Sequence, residues 1–218
     1  MGPRERYREQ VRDEIRTHAW TQVATAGASA LSLNAIAKQM GISGPALYRY
    51  FASRDDLITD LVLDAYRDLA ETCEAAAAGE DTPAGRLSAA AGAIRAWALA
   101  APHRYLLIYG TPVPGYAAPP EATALASRIM RLLLDGFAPA GDGGPDTGLD
   151  RHLDQHRHWA GDDHPAAALS HALRFWTRLH GVLSLEVAGH FTGMAFDPAV
   201  LYAAEVASVV PPVSPPGR

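Results

Sequence analysis

Residues 31–54 read Leu-Ser-Leu-Asn-Ala-Ile-Ala-Lys-Gln-Met-Gly-Ile-Ser-Gly-Pro-Ala-Leu-Tyr-Arg-Tyr-Phe-Ala-Ser-Arg. Leu33, Ile36, Ala37 and Met40 recur at the spacing that lines one face of a helix. Gly41 follows, where a helix commonly ends in the left-handed conformation that glycine adopts without strain. Ile42 is placed to fill the gap before a second helix. Ser43 supplies the oxygen cap that free N–H groups need at a helix start, and Pro45 suits the first turn. Leu47 and Phe51, four apart, form the buried side of that second helix. Gly44, Pro45, Ala46, Tyr48, Arg49 and Tyr50 are left facing outward. Two short helices around a tight turn, with small residues and a Tyr-Arg-Tyr run on the free face, predict a helix-turn-helix.

The run Gly41-Ile-Ser-Gly-Pro-Ala-Leu-Tyr-Arg-Tyr-Phe-Ala-Ser-Arg-Asp-Asp-Leu57 resembles the DNA-binding signature of the TetR family of bacterial transcriptional regulators. That signature is a Gly-Val-Ser turn, a Leu-Tyr pair, His or Tyr before Phe, then a basic-acidic-x-Leu step. The resemblance covers roughly residues 8–65. It implies that Tyr48 donates its hydroxyl to a DNA phosphate and that Pro45 and Ala46 touch bases. From chemistry, Arg49 can reach phosphate or grip a guanine edge bidentately. Tyr50 is placed for phosphate contact or for packing between helices. Ser32 and Ser43 can cap helices and also meet phosphates, and Arg54 and Lys38 are candidate backbone clamps. Gly44-Pro45 replaces a commoner pair containing Lys or Thr, so the operator sequence cannot be read from these residues.

Composition is consistent with that class. The 218 residues carry a net charge of −5, with 48% hydrophobic and 20% charged side chains. A net negative chain does not coat nucleic acid indiscriminately. Residues 1–58 nevertheless hold eight Lys and Arg against six acids, a surplus of two that leaves −7 for the remainder. Positive charge thus gathers on the segment with the reading motif, as phosphate contact requires. A single cysteine, Cys73, rules out a disulfide framework within the chain and fits a reducing cytoplasm. The first ten residues have no apolar core, so no secretory signal is expected, and no apolar run approaches a membrane span.

Taken in order, the pattern predicts only helices. Tyr7, Val11, Ile15, Ala19 and Val23 share the face of a helix over residues 5–26. Ser53, with acids behind it, opens a long helix to about Gly79. Thr82-Pro83 starts another, Pro102 breaks it, and a short apolar helix follows over residues 103–109. Residues 120–137 are helical, with Ala122, Leu125, Ile129, Leu132 and Leu133 inward. Residues 138–164, rich in Gly, Asp and His, read as an irregular connection with at most a turn or two of helix. Residues 165–190 form the longest apolar stripe, and Asp197-Pro198 opens a last helix. The expected architecture is all-α. Residues 1–53 are the helix-turn-helix domain, 54–210 a larger helical ligand-binding and dimerisation domain, and 211–218 a tail.

The resemblance further implies a homodimer bound to a double-stranded operator and released by a small effector. Trp176 to Phe191 is similar to the Trp/His-Gly segment of one TetR-like C-terminal class. Trp97, His103, Tyr105, Tyr109, Met130, Phe137, Trp176 and His180 are the candidate lining of an apolar or aromatic effector pocket. Gly181 inside a helix suggests a close approach or a cavity, and His180 and Glu186 need partners if buried. Helices 120–137 and 165–190 are the candidates for the dimer interface.

Two other readings compete. His152, His156, His158 and His164 among Asp154, Asp162 and Asp163 could hold zinc or nickel in a metal-dependent enzyme. A solvated polar linker explains the same residues. The third reading is a DNA-binding adaptor that senses nothing. The chain offers no nucleophile–base constellation and no phosphate-binding glycine loop, so no cofactor and no catalysis are expected.

Overall fold

The computed structural model describes residues 2–138, 147–161 and 163–210. Part of the Gly-rich break, Asp162 and the tail at 211–218 therefore lie outside the described residues. The helices run α1 Pro3–Ala26, α2 Leu33–Gln39, α3 Gly44–Leu47, α4 Arg54–Ala78, α5 Pro83–Ala100, α6 Pro102–Tyr109, α7 Pro120–Phe137, α8 Gly148–Gln155, α9 Ala166–Val187 and α10 Pro198–Val209. The protein is all-α, and no strand occurs among the described residues.

The capping residues behave as their chemistry dictates. Ser53 Oγ accepts from the Asp56 amide at 3.0 Å, Thr82 Oγ1 from Gly85 at 3.0 Å, and Asp197 Oδ1 from Ala199 at 2.8 Å. One cap sits inside the segment expected to be irregular. Thr147 and Asp150 form a reciprocal capping box, and α8 runs for two turns behind it. Hydrogen bonding from the Ser170 side chain, then from Thr147, holds the Asp150 carboxyl down at about 2.

The chain divides into two compact units, Met1–Arg67 with Ala101–Thr123, and Asp68–Ala100 with Ala124–Arg218. In the first, Ile15, Ala19, Trp20 and Val23 of α1 are buried, as are Leu57, Ile58, Leu61 and Ala65 of α4. Tyr7, expected on the same face, is 65% exposed, because the first turns of α1 project beyond anything that could cover them. Trp20 joins α1 to its neighbours. Its indole donates to Asp64 at 3.2 Å, the Arg104 guanidinium lies over it, and His103 meets its edge.

In the second unit, Leu87, Ile94, Ile129, Leu133, Phe137, Leu169, Phe175, Leu179 and Leu183 are all buried. Phe175 takes a fully buried place in α9, while Leu173 and Trp176 beside it are only half-buried. Glu186 finds its partner in Arg95 rather than in His180. The guanidinium of Arg95 grips the carboxylate bidentately, at 3.0 and 2.5 Å, and lies over the ring of Tyr202. Tyr202 in turn donates to the Ala91 carbonyl at 2.8 Å. These contacts tie α5, α9 and α10 together.

Candidate nucleic-acid interface

Ser32 Oγ accepts from the Ala35 amide and Ser43 Oγ from the Ala46 amide, both at 3.3 Å, so each serine caps its helix. Gly41 has φ +67°, and the Ile42 amide reaches back to the Ala37 carbonyl at 3.0 Å, closing α2 in a left-handed turn. The second helix is shorter than its pattern suggests. After Leu47 the chain tightens, with the Tyr50 amide on the Leu47 carbonyl at 2.8 Å. Leu47 and Phe51 still point inward and are buried.

The outer face is free. Tyr48 is 44% exposed, and neither its hydroxyl nor the Arg49 guanidinium has a partner among the described residues. Pro45 and Lys38 are exposed; Ser32, Gly44, Ala46 and Tyr50 are half-buried. A capped helix start with small residues, followed by an unengaged hydroxyl and guanidinium, suits approach to a phosphate-lined groove. Arg54 differs from the rest. Its guanidinium donates to the carbonyls of Leu31, Ala28 and Ser29 at 3.2, 3.0 and 3.1 Å, which fixes the turn before α2.

One residue that positions this face was not apparent in the sequence. Arg12 of α1 donates to the Tyr50 carbonyl at 3.3 Å, lies over the Phe51 ring at 4.5 Å and pairs with Asp60 at 2.9 Å. Arg16 takes the other Asp60 oxygen, also at 2.9 Å. Burial works against the charge on Arg16, but the hydrogen bond and the fields of Asp60, Asp64 and Asp13 prevail and hold its pKa above the usual value.

The candidate effector residues divide between the units. In the first, His103 borders a crevice of about 590 Å³ with Val23, Leu106 and Val113, and burial followed by the neighbouring Arg104 lowers its pKa. Tyr105 is buried, with Tyr109 ring to ring at 5.3 Å. In the second, Trp97 donates to Asp68 at 2.8 Å, and Phe137 packs between His171 and Phe175. Trp176 and His180 have ring centroids 4.0 Å apart, and burial lowers the His180 pKa to about 4. Met130 borders a separate crevice beside Trp159 and Arg131.

Two rings of the histidine-rich segment find partners outside any metal-like cluster. His156 Nδ1 meets the His152 carbonyl at 2.9 Å, and His164 Nε2 meets Asp135 at 2.8 Å. Among the described residues, no group of three or more His, Cys, Asp or Glu side chains could hold a metal ion. Nor is any helix among them long and apolar enough to cross a membrane.

Comparison with known proteins decides the class. Residues 15–61 match the bacterial regulatory proteins of the tetR family, and residues 87–209 match the tetracyclin repressor-like C-terminal domain. The chain belongs to the TetR family. It is 37% identical over 228 residues to the HTH-type transcriptional regulator Rv1816 of Mycobacterium tuberculosis, covering 96% of this chain and 95% of that one. The crystal structure of the regulatory protein SCO4313 is similar at 58% identity, with a TM-score of 0.87 over 96% of this chain and 99% of the other. A protein of unknown function from Rhodococcus sp. RHA1 shares the fold at 23% identity, with a TM-score of 0.67 over 92% of this chain and 95% of that one. The TetR-family chain described here is thus a transcriptional regulator with a DNA-binding helix-turn-helix, and not an enzyme.

Proposed function

We propose that the protein is a homodimeric repressor, released from its operator when a small apolar or aromatic molecule binds its helical domain. The observation that carries the DNA-reading part is the free face of α3, with Pro45, Tyr48 and Arg49 exposed over a buried Leu47 and Phe51. Ser32, Ser43, Gly44, Ala46, Tyr50 and Lys38 complete the contact surface, while Arg54 and Arg12 hold it in place. A DNA reader of this kind works in the cytoplasm, where the chromosome is.

The dimer reading follows from α9 and α10. Thr177, Gly181 and Leu185 form an exposed line on α9, and Val200, Ala203, Ala204 and Ala207 form one on α10. A Cβ built on Gly181 meets nothing within 4 Å, so the glycine serves no approach inside this chain. Mid-helix glycine costs about 1 kcal/mol relative to alanine, which a close approach by a second copy would offset. No exposed residue of α10 is charged, whereas α9 also exposes Arg174 and Arg178, and α7 exposes Glu121, Arg131 and Asp135 beside Thr123 and Ala124. The exposed apolar and small residues of α9 and α10 support that pair as the interface, where the sequence alone pointed to residues 120–137 and 165–190. Two-fold proteins meet two-fold operators, with half-sites one helical turn apart.

Fluorescence anisotropy against the DNA upstream of its own gene, a scrambled duplex and two salt concentrations tests the reading. Tight, sequence-preferring, salt-sensitive binding by a dimer is expected. Equal binding to both duplexes would favour the non-sensing adaptor.

A further inference from the structure

In the second unit, α4, α5 and α7 border a cleft of about 360 Å³. Its apolar wall comes from Ala77, Ala78, Pro83 and Leu132. Three guanidiniums, of Arg86, Arg128 and Arg131, share it with the carboxylates of Glu74 and Asp135. Glu74 is fully engaged and Asp135 through one oxygen, so the lining's three guanidiniums exceed its carboxylates by one. Glu74 is held bidentately by Arg128 at 2.9 and 2.6 Å, and Asp135 by His164 at 2.8 Å. The two remaining cations are not engaged in this way. Arg86 donates only its Nε, to the Glu80 carbonyl at 3.0 Å, and Arg131 has no hydrogen bond or ion pair among the described residues. The end of α4 and the start of α5 both border the cleft, so their opposite dipole ends offset one another. Surplus positive charge beside an apolar wall is what remains.

We propose that this cleft binds a small organic acid, whose carboxylate takes Arg86 and Arg131 and whose apolar body lies on Ala77, Ala78, Pro83 and Leu132. Guanidinium forks suit carboxylates because two parallel N–H donors match two oxygens. The volume is within the range of small-molecule sites. None of the eight effector candidates singled out in the sequence borders this cleft. The site rests on the ligand-responsive reading only for its effect on DNA; binding itself stands on the cleft's own geometry.

Isothermal titration of the full-length protein, without DNA, tests it. The probes are hexanoate and benzoate, with neutral hexanamide and inorganic phosphate as controls. Both carboxylates are expected to bind, and hexanamide about tenfold more weakly, the loss typical of a charged hydrogen-bond partner. Arg86→Gln and Arg131→Gln should each weaken hexanoate to a similar degree without moving the thermal midpoint, since both side chains are exposed. Glu74→Gln, which releases Arg128, should tighten it. Equal binding of hexanoate and hexanamide, unchanged binding in both arginine variants, or no carboxylate binding at millimolar concentration would each overturn the proposal. Phosphate binding as tightly as hexanoate would overturn the organic-acid assignment. A carboxylate that binds yet leaves operator affinity unchanged would support the site and count against its role as an effector site.

Discussion

Arg12 of α1 donates to the main-chain oxygen of Tyr50, 38 residues further along the chain, at 3.3 Å. The same guanidinium holds Asp60 of α4 and covers the ring of Phe51. It thereby fixes the end of the reading helix from behind. Arg12→Gln should lower stability by about 1–2 kcal/mol, the scale of a partly buried charged hydrogen-bond network. Operator affinity should fall with it, while the slope of log affinity against log salt stays unchanged, because no phosphate contact is lost. Arg49→Ala should behave in the opposite way, leaving stability alone and reducing that slope by about one. Thermal melts and salt-dependent anisotropy on both variants read the difference.

Tyr48→Phe removes one exposed hydroxyl and almost no volume. Operator binding should weaken by about 1 kcal/mol, several-fold in dissociation constant, with the melting temperature unchanged. Unchanged affinity for a confirmed operator would take Tyr48 off the contact surface.

These residues were legible because local chemistry specifies them. A helical apolar spacing, a glycine needing positive φ and a serine cap are properties of neighbours in sequence, and Leu33, Gly41, Ser43, Leu47 and Phe51 all sit as their types demand. Arg12 was not legible, since its partners are Tyr50 and Asp60, far along the chain. For the same reason Arg95 was not identified as the partner of Glu186. Helix α8 matches the turn or two of helix expected there, but its bounds were not legible because its glycine and histidine content resembled a linker. Its start is nevertheless marked by Thr147 with an acid three residues on, the signal of a capping box. Which residues line a cleft was the least legible feature, since none of the eight candidates borders the one between α4, α5 and α7. An aromatic in a helix pattern signals burial, and Phe137 and Tyr105 are buried against other rings, but periodicity does not separate core from lining.

Gly181→Ala separates fold from assembly. Inside the chain the added methyl meets open space, so the helix should gain up to about 1 kcal/mol. In the dimer the same methyl would stand between two closely approaching helices and weaken association. Sedimentation should show a larger dimer dissociation constant, alongside an unchanged or raised melting temperature for the monomer. Tighter association would contradict the assignment of the interface to α9.

His180 gives the protein an acid-sensitive element. Burial lowers its pKa from 6.5 to about 4, so the folded state prefers the neutral ring. The unfolded chain then binds the extra proton between those values. Stability from this residue is complete above about pH 6.5 and is lost as pH falls towards 4, by up to about 3 kcal/mol. Melting temperatures at pH 7 and 5 should differ less in His180→Asn than in the wild type. An equal difference in both would place the titration elsewhere.

The most direct test of the account is selection of genomic fragments by the purified protein, run in parallel with Arg49→Ala. The account predicts that fragments retained by the wild type share a pseudo-palindrome, with half-sites about one helical turn apart. The variant, having lost a phosphate contact, should retain the same sequence at uniformly lower yield. Retention of fragments with no common sequence, or undiminished retention by the variant, would contradict the claim that the free face of α3 reads DNA.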